Sequence, residues 1–510
     1  MLNVKYKKMI KSFNFVLIIL FVTFQNNNYI LDQFWPSLDM ITFFPKYFSD
    51  TNFGSDFMTS CFEQFTGRFF FGYITGFIYL FFDDWFNFLI FYRLLIFIFL
   101  PVSWYLALKS LFKKSKLNLS IVFALIMTSF FAPGLNSQTS IFSFATWSPY
   151  FFHFHPGTIS AIFVLFGIFF GFKENPNKIL AYTFIILGAL CHPIFSISIT
   201  FIFIFSKYFI EKKVGDEVSL LILNILITAL QSAFSNFGNL ELDSYLEYYA
   251  KFHPHHYVPS WENNLFEDII KISILFLIVY ILPIGDNSKS FKILCGSFLS
   301  FFVLGLLIQY ISIELYPVSK FLILLSPSRF SSYIYWMFVI VIIFKFRKLL
   351  MSFEQFTDKI FNSATLIFFL VINFIIFYNL VDEINASGRL EKYYHLNQSE
   401  IEVIEWTKNS TLKNDLFLVL GSEKLNKFFT IETERGQYNA IGYPFNDECI
   451  EENFKRKNKF YAKPVSEISE YLENNDFNEF KYFVTYIDAD TKNLEIAFSN
   501  NQFKVIEIYK

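Results

Sequence analysis

Residues 179–210 read ILAYTFIILGALCHPIFSISITFIFIFSKYFI, two apolar runs broken once, at His192-Pro193. Neither run carries the polar face that a surface helix of a water-soluble protein repeats every 3.6 residues. Proline is tolerated in the first turn of a helix, where its missing N–H has no intrahelical partner to lose, so Pro193 opens the second run. His192 then stands where one helix hands over to the next. Ile179 to Cys191 and Ile194 to Ile210 are therefore read as two membrane-spanning helices joined by a tight turn, the first of them shorter than the ~20 residues a span normally needs.

The same pattern recurs along the chain. Over half of the 510 residues are hydrophobic (54%), and 75 are phenylalanine, in long runs without charge, which places the chain among polytopic membrane proteins. A net charge of −2 excludes a general nucleic-acid binder and leaves local charge as the useful signal. Further spans are expected at Phe13 to Ile30, Phe86 to Leu108, Leu119 to Ala132, Gly157 to Phe172, Val218 to Ala233, Phe266 to Ile284, Ile293 to Ile313, Ser331 to Phe346 and Ala364 to Val381, about eleven in all. Lys5, Lys7, Lys8 and Lys11 precede the first run, and no small-residue cleavage site follows it, so it reads as an uncleaved anchor with its amino terminus inside.

Phe69 to Phe82 is apolar enough to span, but counting it as a span would put Lys109, Lys113, Lys114 and Lys116 outside, against the positive-inside rule. As an interfacial helix of the first outer loop it leaves those lysines inside, with Lys173 and Lys178, Lys207, Lys212 and Lys213, Lys289 and Lys292, and Lys345, Arg347 and Lys348. The outer loops are then Leu31 to Trp85, Pro133 to Pro156, Ser235 to Leu265 and Glu314 to Phe330, and all seven histidines fall on the outer side.

From Asp382 onward charge rises and hydrophobicity falls, so residues 1–381 form the membrane domain and 382–510 a soluble extracytoplasmic domain. Ser399 with Glu402 fits a capping box for a helix through Trp406. Strands are expected at Leu416 to Leu420, Phe428 to Ile431, Tyr482 to Ile487 and Phe503 to Ile508, and helices at Glu448 to Lys455 and Val465 to Leu472, which makes a small α/β domain. No Gly-rich phosphate fingerprint follows its first strand. Cys61, Cys191, Cys295 and Cys449 lack both metal-ligand spacing and a disulfide framework, and no structural zinc site is expected.

Three constellations carry chemistry. Asp39 lies in the first outer loop with Asp32, Asp50 and Asp56; a carboxylate there can act as general base toward a hydroxyl or hold a divalent cation, and loop aspartates equally serve as turn and cap residues. His253-Pro254-His255-His256-Tyr257-Val258-Pro259-Ser260-Trp261 crowds imidazoles and aromatics into one outer loop, where protonated histidines suit a phosphate; the plainer reading makes Tyr257 and Trp261 interface anchors. His192 is either substrate-facing or a buried cap, and Arg329, at an outer helix start, either grips a phosphate bidentately or snorkels.

The Asp39 loop, His155-Pro156-Gly157-Thr158, Leu187 to Pro193, the His-Pro-His-His-Tyr stretch ending at Trp261, and Ser328-Arg329 resemble, in this order, an uncharacterised family of bacterial polytopic membrane proteins. That family looks like the GT-C superfamily of multispanning glycosyltransferases that use lipid-phosphate sugars. In the tail, Ile404 to Thr411 resembles the helix of the family's soluble tail that carries a WI-ENTP motif, and Arg435 is expected to follow a strand. The resemblance implies a cavity open to the outer side of a plasma or inner membrane, a polyprenyl-phosphate-linked sugar as donor, membrane lipids as surroundings, and Asp39 as base. Only Asp39 is carried over from the resemblance; His192, His253, His255, His256, Tyr257, Trp261 and Arg329 are expected to bind the substrate on their own chemistry and outer placement. The paired acidic motif frequent in the first loop of such transferases is absent, so no cofactor is assigned and a divalent cation stays optional. A non-catalytic carrier of the lipid intermediate, or an envelope-assembly scaffold, is the alternative; an apparent lack of inverted repeats weighs slightly against a transporter.

Overall fold

The computed structural model describes residues 69–82, 85–112, 156–213, 215–234, 244, 273–274, 277, 280–281, 288–314, 391, 396–438, 447–461, 463–475 and 479–508. The protein is mainly helical, with one five-stranded sheet near its carboxyl terminus. The chain divides into two compact units: residues 1–30, 86–233 and 249–377 make the first, and 31–85, 234–248 and 378–510 the second. The spans expected at Phe13 to Ile30, Leu119 to Ala132, Ser331 to Phe346 and Ala364 to Val381 lie outside the described residues, as does most of Phe266 to Ile284.

The described helices before the tail are α1 (Phe69–Tyr79), α2 (Trp85–Leu111), α3 (Pro156–Phe172), α4 (Lys178–Cys191), α5 (Pro193–Glu211), α6 (Val218–Phe234) and α7 (Ser288–Glu314). Each apolar run expected as a helix in these regions is one, to within a few residues. Among the described residues α5 alone is long and apolar enough to cross a membrane by length and composition; α3, α4 and most of α6 are shorter apolar helices. α1 has 11 residues, about 16 Å of helix at 1.5 Å per residue, too short to span.

α3 and α4 form an antiparallel hairpin. Asn177 caps α4 by accepting from the Leu180 N–H at 3.1 Å. The Phe184 ring lies against Phe163, Phe166 and Phe170, stacked on the last at 5.7 Å. α5 packs on α2 through Phe203 and Trp104, and on α7 through Phe201 and Phe301, where the Ser206 and Ser297 hydroxyls meet at 2.8 Å. The Lys207 ammonium, near the end of α5, is paired with Glu217 and lies 4.6 Å from the Phe172 ring centre.

The carboxyl-terminal part runs α8 (Gln398–Ser410), β1 (Leu416–Val419), α9 (Glu423–Thr433), β2 (Gly436–Gln437), α10 (Asp447–Arg456), a π turn (Lys457–Tyr461), α11 (Val465–Asn474), β3 (Tyr482–Tyr486), β4 (Glu495–Ser499) and β5 (Phe503–Glu507). Strand order is β2-β1-β3-β5-β4; β1 is parallel to β2 and β3, while β5 is antiparallel to β3 and β4. Alternation along β1 divides the core. Leu418 packs with Phe460, Ile468, Leu472, Phe483 and Ile506 on the face covered by the π turn and α11. On the opposite face Phe417 stacks on Tyr482 at 4.9 Å and meets Phe429 of α9 at 5.0 Å, and Trp406 of α8 stacks on Phe498 at 5.4 Å. The result is a three-layer α/β/α domain.

Four expectations are corrected here. Phe428 to Ile431 is helical, inside α9, because Leu425, Phe428 and Phe429 all face the core at helical spacing. The capping box is Asn397 with Glu400, two residues earlier than Ser399 with Glu402: Glu400 N–H donates to Asn397 Oδ1 at 3.0 Å, and Asn397 N–H donates to Glu400 Oε2 at 2.8 Å. Arg435 follows the carboxyl terminus of α9, not a strand. Cysteine is informative after all, since Cys449 is disulfide-bonded.

Burial pushes the Lys457 ammonium down to about 8. A folded-state value below the unfolded one means that the unfolded chain holds this proton more tightly. Lys457 therefore makes the domain gain stability as pH rises from about 8 toward the ordinary lysine value, and lose it as pH falls through 8. Lys457→Met is expected to flatten that rise and to increase the urea midpoint at neutral pH. The readout is Trp406 fluorescence in the full chain with the other tryptophans replaced by phenylalanine; an unaltered pH slope counts against a desolvated ammonium at Lys457.

Candidate functional site

Of the site residues expected from sequence, His192 lies within the described part; Asp39, His253, His255, His256, Tyr257, Trp261 and Arg329 lie outside it. The site that can be built is the turn joining α4 to α5. His192 ends one helix and opens the next: its N–H donates to Gly188 O at 3.0 Å, and its carbonyl accepts from the Ser196 N–H at 3.1 Å. Its Nδ1 accepts from the Phe195 N–H at 3.5 Å, and the ring sits edge-on to Phe195 at 4.9 Å. With Pro193 at the first helical position, the turn has the local chemistry that a helix start requires.

The side chain is 1% exposed. An accepting Nδ1 requires the neutral ring protonated at Nε2, because an imidazolium offers no acceptor. In this pose the imidazole serves the backbone of α5, and holding an anion as a cation would require it to give up the cap. Ser160 of α3 fastens the turn from the other side, donating to Gly188 O at 2.8 Å and to His192 O at 3.1 Å.

A polar seam continues from this turn and was missed in the sequence. The Asn224 amide of α6 donates to Ser196 Oγ at 2.6 Å and to Thr200 Oγ1 at 3.0 Å, both on α5. Asn224, Thr228 and Gln231 are all buried, spaced so that they share one face of α6. Asn224 Oδ1 and Thr228 Oγ1 have no hydrogen-bond partner among the described residues. The available signal was three amide or hydroxyl side chains at i, i+4 and i+7 in an otherwise apolar run. Around them α6 is turned inside out: Ile222, Ile225, Leu226 and Leu230 are exposed, each by about half.

In the carboxyl-terminal domain, the crevice where a parallel sheet usually takes a ligand lies beyond the carboxyl end of β1, flanked by β2 and β3. It is occupied by the chain itself. Ser422, the cap of α9, donates to the Glu400 carboxylate, and a Cβ on Gly421 would lie 3.0 Å from Leu425 and 3.3 Å from Phe503. A carboxylate thus already holds the helix end that an anion would seek. Among the described residues no group of three His, Cys, Asp or Glu is placed to hold a metal ion.

No family model matches the chain, and no curated protein sequence is similar to it.

Proposed function

We propose that the protein is a multi-pass integral-membrane protein of the cell envelope that transfers a sugar from a polyprenyl-phosphate donor to an acceptor at the outer face. The observation that carries the membrane part is α6. In water a helix turns its polar residues outward; here Asn224, Thr228 and Gln231 are buried and Ile222, Ile225, Leu226 and Leu230 face out, which suits a surrounding of lipid. Two further observations support the sidedness. Lys178 bonds to Asp216 at 2.7 Å, which brings the lysine-bearing α3–α4 and α5–α6 turns to one end, as a cytoplasmic face requires. Residues 31–85 and 234–248 fall in one compact unit with 378–510, and the charge pattern assigns all three to the outer side.

The transferase part rests on the chemistry of the outer residues. Asp39 deprotonates an acceptor hydroxyl that attacks the anomeric carbon with inversion, while Arg329 and the His253 to His256 segment stabilise the departing lipid phosphate. Asp39→Asn is expected to lower transfer about 10²- to 10⁴-fold. Mass spectrometry of lipid-linked sugars and envelope glycans checks it in cells carrying wild type, a deletion, or Asp39→Asn. A donor that accumulates alike in deletion and variant, with one glycan missing, is the expected result. A normal profile in Asp39→Asn beside a defective deletion would replace the transferase by a carrier or scaffold.

A further inference from the structure

The disulfide of Cys449 has one partner left to it. The chain has four cysteines, at 61, 191, 295 and 449. Cys191 and Cys295 are free thiols buried in α4 and α7. Cys449, in the first turn of α10, is bonded. We infer that Cys449 is joined to Cys61, so that one covalent bond fastens the loop carrying Asp39 to the carboxyl-terminal α/β domain. Residues 31–85 and 378–510 fall in the same compact unit, as such a bond demands.

The bond forms by exchange. Two thiols give up two protons and two electrons to the disulfide of a thiol–disulfide oxidoreductase, which leaves as a dithiol, and the Cys61–Cys449 bond replaces the one consumed. Such bonds persist in oxidising compartments and are rare where thiols are kept reduced, so the tie also requires both segments to face the outside. The pairing itself rests on the cysteine assignments alone; the choice of membrane side and the effect on sugar transfer rest on the proposed function. Its role is to position the Asp39 loop, and its removal is expected to lower sugar transfer without altering the acidic limb of the pH profile set by Asp39.

The test uses the full chain in native membranes, alkylated with N-ethylmaleimide without reductant, digested and mapped by mass spectrometry. One cross-linked peptide pair holding Cys61 and Cys449, separating on reduction, is expected. Alkylated Cys449 in the unreduced wild type, or a link from it to Cys191 or Cys295, overturns the pairing. In Cys61→Ser, a membrane-impermeant maleimide added to intact cells should label Cys449. Labelling only after permeabilisation would leave the bond standing and overturn the outer placement. Cys449→Ser serves as the reciprocal where Cys61→Ser fails to accumulate, and the double variant should lose no more transfer than either single one. Additive losses would overturn the shared bond.

Discussion

Arg435→Ala is expected to unfold the carboxyl-terminal domain at urea concentrations where the wild type is intact. Arg435 is 4% exposed, and its guanidinium bridges two helix ends. Nη2 donates to Lys408 O at 3.0 Å and Thr411 O at 2.7 Å, Nε to Thr411 Oγ1 at 3.1 Å, and Nη1 to Thr433 O at 2.8 Å. The last carbonyls of α8 have no intrahelical donor, and this side chain supplies one. Burial lowers the affinity of the guanidinium for its proton, but the Glu434 and Asp415 charges oppose that, and arginine stays charged at any working pH. Truncation leaves the buried Thr433 carbonyl and the part-buried Lys408 and Thr411 acceptors unmet, each worth up to about 1–3 kcal/mol, so a total loss of about 3–5 kcal/mol is expected. Arg435→Lys should recover less than half, because an ammonium cannot reproduce the planar fork. The urea midpoint from Trp406 fluorescence in the full chain, with its other tryptophans replaced by phenylalanine, reads both; a lysine variant as stable as the wild type would discard the fork as the cause.

What the sequence made legible follows from how the information is stored. The bounds of α3, α4, α5 and α6 were readable within one or two residues because composition alone marks a long, uncharged and mostly apolar run between polar turns. α9 was not read as a helix, since Phe428, Phe429 and Ile431 favour strand by type. The period of Leu425, Phe428 and Phe429, and Ser422 just before them, carried the correct reading. β2 spans two residues and β4 is mostly exposed, so neither has an alternation to find. For His192, spacing fixed the turn but not the direction of the ring: cap and ligand ask for the same residue at the same place. Cys449 is disulfide-bonded, and no local spacing of cysteines in the sequence announces such a bond.

Gly188→Ala is expected to loosen the α3–α4 hairpin, whereas Gly296→Ala in α7 is expected to leave the protein unharmed. A Cβ on Gly188 would lie 2.5 Å from Val164 Cγ2, 3.1 Å from Ser160 O and 3.3 Å from Val164 N, so backbone as well as side chain stands in the way. Gly167 is held in the same manner from the other helix, 2.9 Å from Ile185 Cγ1 and 3.1 Å from Ala181 O. Small residues let helix backbones approach closely, and this pair depends on that approach. Forcing α4 outward also stretches the Ser160 hydroxyl bonds to Gly188 O and His192 O, so the strain reaches the start of α5. A loss of about 1–3 kcal/mol is expected, visible as a lower thermal midpoint of the detergent-solubilised chain. Val164→Ala removes the 2.5 Å clash but not the Ser160 carbonyl, so the double variant should recover only part of the loss. Around Gly296 nothing lies within 4 Å of the added carbon, and the substitution there tests helix propensity alone, a gain of up to about 1 kcal/mol. If the two variants shifted the midpoint equally, close backbone approach would not be what holds the hairpin, and the bonds from Ser160 would have to carry it.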